Sequence, residues 1–138
     1  MTNLMRALIF SLLFLGCAAV ADAATVIAVA SETTEETGLV SREGARSPYY
    51  LVFAGTGELL EVIYNPYSGE REGAGQAIVN LLALKGINLV VAESFDPAMI
   101  DAMKARDMKY IEFRGIAKDA VDRLALPGER KGTTKGDN

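Results

Sequence analysis

Histidine is absent from this chain of 138 residues, and cysteine occurs once, as Cys17. Without imidazole, Ser31, Ser41, Ser47, Ser68 and Ser94 lack the ring base that activates a hydroxyl nucleophile. A lone cysteine excludes a disulfide framework, so the fold must be held by its core. Clustered Lys and Arg are missing as well: 14 basic against 18 acidic side chains give a net charge of -4. That balance argues against a nucleic-acid partner, whose phosphates demand concentrated positive charge. The apolar run over residues 7–15 is shorter than the about 20 residues a helix needs to cross a bilayer.

What is present at the start reads as a secretory leader over residues 1–23. Arg6 supplies the charged region, residues 7–15 the apolar region, and "AAVADAA" the small residues of a cleavage site after Ala21 or Ala23. The expectation is an exported, periplasmic protein. Leu15-Gly16-Cys17 resembles a lipoprotein box, so membrane attachment is expected only if Cys17 is lipidated. Cleavage after Ala23 removes Arg6 and Asp22, leaving 13 basic and 17 acidic side chains and no thiol.

Half of the chain is hydrophobic and 23% is charged, the composition of one ordinary globular domain. "TVIAVA" (25–30) predicts a central strand buried on both faces. The polar stretch 31–47 is long for a connection and reads as either a site loop or a floppy one. "YYLVFA" and "ELLEVIY" flank Gly55-Thr56-Gly57 as an antiparallel hairpin that ends at Asn65-Pro66. Ile78, Leu81 and Leu82 recur at helical spacing up to Gly86, and "NLVVA" follows as a strand, which predicts a β-α-β unit with a right-handed crossover. Asp96-Pro97 opens a second helix running to about Arg106, and "MKYIEF" reads as a half-buried strand. A third helix places Ile116, Ala120, Val121 and Leu124 on one face, with Lys118 and Asp122 as a solvated pair on the other. The tail over residues 127–138 lacks apolar residues and is expected to be disordered. The result is a single α/β domain over residues 24–126, a mixed five-stranded sheet with about three helices.

The order and spacing of three segments carry a resemblance. "ARSPYYLVF" (45–53), Asn65-Pro66, and "GAGQAIVNLLALKGINLVVAE" (73–93) are similar to stretches of the dinitrogenase iron-molybdenum cofactor biosynthesis family, also called nitrogenase accessory factor-like. The resemblance implies a ribonuclease H-like fold and members that carry or insert iron-sulfur or molybdenum-containing clusters. Where many members have His-Phe-Gly before an Arg, this chain has Glu43, Gly44 and Ala45. Iron clusters rely on thiolate or imidazole, so a cluster held here must be held without Cys or His ligands.

The Gly73-Ala74-Gly75 loop raises the question of an anion site. It has no Gly-Lys-Ser or Gly-Lys-Thr, and Ile78 stands in the third glycine's place of the dinucleotide fingerprint. Two readings stay open: the glycines allow a tight entry to the helix, or the helix N-terminus with Arg71 and Arg46 holds an oxyanion or an anionic metal cofactor. Glu43, Arg46, Arg71, Gly73 and Gly75 are therefore the candidate cofactor-binding residues. Asp96 closes the second helix's N-terminus to anions. Met99, Met103 and Met108 read as packing between helix and sheet, and Glu32, Glu35 and Glu36 as solvated loop charge without calcium-loop spacing. The chain thus reads as a non-catalytic binding protein. The alternative is a ligand-free interaction or structural module with an envelope protein as its partner.

Overall fold

The computed structural model describes residues 24–124; the expected leader with Cys17 and the expected tail lie outside them. Five strands form one sheet: β1 (Val26–Ser31), β2 (Tyr49–Ala54), β3 (Leu59–Tyr64), β4 (Leu89–Ala92) and β5 (Lys109–Glu112). Its order is β3-β2-β1-β4-β5. β1 pairs antiparallel with β2 and parallel with β4, β2 pairs antiparallel with β3, and β4 pairs parallel with β5. Three helices, α1 (Ala74–Leu84), α2 (Pro97–Ala105) and α3 (Ala117–Leu124), complete a ribonuclease H-like α/β domain.

The strand period of two explains the layers. On β1, Ala28 and Ala30 face the core shared with α1 and α2, while Ile27 and Val29 face the core under α3. Small alanines on the first side leave room for Ile78 and Leu82 of α1 and for Met99 and Met103 of α2, all fully buried. The methionines thus pack between helix and sheet, as their spacing predicts. On α3, Ala120 and Val121 are buried as expected, joined by Ala117, whereas Ile116 lies just before the helix, 37% exposed, and pairs with Leu39 in an isolated β-bridge.

One expectation is refined. The strand, helix and strand over 59–92 are all present, yet β3 and β4 are not neighbours: β2 and β1 lie between them. The hairpin grows outward from one edge of β1, so β4 joins the other edge. The adjacent parallel pair joined by a helix is β4–α2–β5.

Helix ends follow their signals. Asp96 accepts from the Met99 N–H at 2.6 Å, with Pro97 at the first helical position. Gly86 takes φ 76 after α1, and the Gly86 and Ile87 N–H groups donate to the Ala83 and Leu82 carbonyls. These two bonds form a Schellman closure that satisfies otherwise orphaned carbonyls.

Candidate functional site

The polar stretch 31–47 is tied to its neighbours by backbone hydrogen bonds. Ser41 N–H donates to the Ala30 carbonyl and Glu93 N–H to the Ser41 carbonyl, at 2.8 and 2.9 Å. Gly44 N–H then donates to the Ser94 carbonyl at 3.0 Å, and Ser94 Oγ donates to the Arg42 carbonyl at 2.6 Å. These bonds lay residues 41–44 as a strap across the carboxyl ends of β1 and β4. Ligands of open α/β sheets bind in crevices at that end.

Three buried polar side chains shape the strap from below. Tyr50, fully buried on β2, donates its hydroxyl to the Gly44 carbonyl. Burial, and secondarily the Asp96 carboxylate, push its phenol well above the ordinary tyrosine range, so it remains a donor. Ser47 Oγ lies within donating reach of the Ser31 and Tyr49 carbonyls, at 3.1 and 2.7 Å. Asn65, also fully buried, donates through Nδ2 to the Ala45 and Ser47 carbonyls at 3.1 and 2.8 Å, and its Oδ1 accepts from Tyr67 N–H at 2.9 Å.

The strap separates two clefts. One, of about 340 Å³, lies between residues 43–46 and the 94–96 entry to α2. Glu43 and Arg46 are exposed on it, and Asp96 lines its far side. The other, of about 300 Å³, has Leu39, Val40 and Gly115 as walls and Glu32, Arg42, Glu93 and Arg114 as its charges. Arg114 Nε there lies 3.3 Å from the Glu93 carboxylate.

The candidate residues fall as follows. Arg46 Nη2 donates to the Arg71 carbonyl at 3.3 Å, which draws the strap to the turn leading into α1. Gly73 is exposed and is the N-cap of α1 in the left-handed conformation, φ 76, which glycine adopts without strain; no side chain caps this helix. Gly75 is buried. A Cβ there would lie 2.9 Å from Met99 Cβ and 3.0 Å from Asp96 Oδ1, so this glycine lets α1 approach the start of α2. Glu43, Arg46, Arg71 and Gly73 thus gather around one end of the sheet, whereas Gly75 serves helix packing beside them.

Sequence alone does not mark Tyr50, Asn65 and Ser94 as parts of the site. Tyr50 reads as a strand aromatic, Asn65 as a turn former and Ser94 as a hydroxyl without a base. Their roles depend on carbonyls 6, 18–20 and 52 residues away, which no local pattern encodes.

The donor set decides what such a site can hold. Among the described residues no group of three or more His, Cys, Asp or Glu is placed for a metal ion. Asp96 is engaged as a helix cap, and guanidinium and backbone N–H groups bind anions rather than metals. Side-chain ligation of an iron or molybdenum centre does not fit these residues. Hydrogen bonding and charge pairing are what guanidinium and backbone N–H groups offer.

Known proteins show the same architecture. The apo form of the orange protein from Desulfovibrio gigas is 26% identical, with a TM-score of 0.67 over 72% of this chain and 86% of that one. A Thermotoga protein of the DUF35 family is 24% identical, with a TM-score of 0.64 over the same shares, a likeness of fold. No curated protein matches the chain. The family model described as dinitrogenase iron-molybdenum cofactor matches residues 25–126, nearly the whole described domain, and the chain belongs to that family.

Proposed function

We propose that this protein is a non-catalytic carrier that holds an anionic metal cofactor, or a metal oxyanion, in the cleft beside the strap, and that it does so after export. Membership of the iron-molybdenum cofactor family supports a cofactor-related role. The observation that carries the reading is the tether of Arg46 to the Arg71 carbonyl, which keeps a guanidinium at the mouth of the uncapped α1 N-terminus. Arg46 lines the cleft and supplies charge, Arg71 and Gly73 at the neighbouring turn add charge and N–H donors beside it, and Glu43 and Asp96 in the lining limit how much negative charge it accepts. The cargo brings any redox chemistry; the chain supplies the grip. Loss of a charge-assisted hydrogen bond costs about 2 kcal/mol, roughly a 30-fold loss of affinity.

Protein isolated from its native envelope fraction is expected to retain molybdenum or iron by elemental analysis, and Arg46→Ala to lose most of it. Metal-free wild-type protein contradicts the reading.

A second reading, a protein-interaction module with an envelope partner, is favoured by the outer strand. Val62 and Tyr64 of β3 are 39% and 65% exposed, on the same sheet face as α3. Metal-free protein in a stable complex unaffected by Arg46→Ala would select it.

A further inference from the structure

We propose that Asn65 is the positioning residue of the site, joining the two arginine-bearing segments into one unit. This rests on the binding role of Arg46 and Arg71 proposed above, but its physical content can be tested without a ligand. Asn65 follows the last residue of β3 and is fully buried. Its amide straddles Arg46: the two carbonyls it holds belong to the residues immediately before and after, Ala45 and Ser47. Its carbonyl oxygen takes the N–H of Tyr67, in the turn that leads on to Arg71. Its own N–H donates to the Pro48 carbonyl at 3.0 Å.

One planar group therefore holds Ala45 and Ser47 with its nitrogen and Tyr67, at the start of the turn towards Arg71, with its oxygen. The exposed Arg46–Arg71 contact at 3.3 Å is weak by itself, and its geometry is inherited from the buried amide beneath it. An amide is suited to the task because it presents two donors and an acceptor from one rigid plane. A carboxylate of the same shape keeps the acceptor and loses both donors. A methyl group loses everything.

Both tethered arginines are trypsin sites, so limited proteolysis of the full-length protein reads the two halves separately. Asn65→Ala is expected to raise cleavage after Arg46 and after Arg71 together, each by roughly tenfold. Asn65→Asp is expected to raise cleavage after Arg46 but not after Arg71. Val121→Ala, in the core under α3, serves as the control for general destabilisation and should leave both bonds resistant. Unchanged cleavage in both Asn65 variants overturns the proposal. So does cleavage that rises equally after Lys104 and Arg114, since Asn65 would then only stabilise the whole fold.

Molybdate affinity provides the second readout. Asn65→Ala should lose affinity about as much as Arg46→Ala while Val121→Ala keeps it. Coordinated cleavage without any molybdate binding by wild type would leave the positioning role standing and count against the carrier reading alone. Retained affinity in Asn65→Ala contradicts the positioning role.

Discussion

Tyr50 shows how much of the site rests on single buried groups. Its hydroxyl reaches the Gly44 carbonyl inside the core, where an unpartnered polar atom is costly. Tyr50→Phe should lower stability by about 1–2 kcal/mol at neutral pH, read by chemical denaturation, because Gly44 loses this buried donor. The phenol's raised position also fixes a pH dependence. The folded state holds the proton more tightly than the unfolded chain, whose tyrosine titrates near about 10, so the contribution is complete below that pH and declines as pH rises above it. Tyr50→Phe should therefore show a shallower alkaline loss of stability than wild type. At this scale the sequence was partly legible. The exposed arginines and the glycines announced themselves by type and neighbourhood, but Asn65 bonds to carbonyls 18 and 20 residues away, and a turn-forming Asn looks the same whether buried or wet.

Elements were more legible than residues because their signals are local. Asp96-Pro97 and Gly86 sit where cap chemistry requires them, and both do what their types predict. Asp96→Ala should cost about 1 kcal/mol through the lost cap on α2, measured by thermal or denaturant unfolding. The carboxylate also stands beside Gly75 in the first turn of α1, so its removal takes negative charge away from the site as well. The same variant should hold anions no more weakly than wild type, which separates its capping role from any binding role. The strap was the element the sequence left undecided. Its polar composition fits a site loop or a floppy one, and it is held by backbone bonds to Ala30, Glu93 and Ser94 and by the hydroxyls of Tyr50 and Ser94, partners that no local pattern encodes.

Across the whole molecule, the fold class, strand count and helix count followed from periodicity and turn chemistry, while neighbour relations did not. "NLVVA" is apolar on both faces, so nothing in it states which strand edge it joins, and the order β3-β2-β1-β4-β5 emerges only when the hairpin has claimed one side of β1. That order is what brings the strap, the α1 mouth and the α2 entry to one end of the sheet. The side chains that line the cleft there carry carboxylate, guanidinium and hydroxyl groups and the Phe95 ring. The most direct test is an amide NMR titration of the full-length protein with molybdate. Saturable shifts are expected at residues 43–46, 71–74 and 94–96, with an affinity about 30-fold lower in Arg46→Ala. An absence of shifts, or shifts centred on the exposed face of β3, would contradict it.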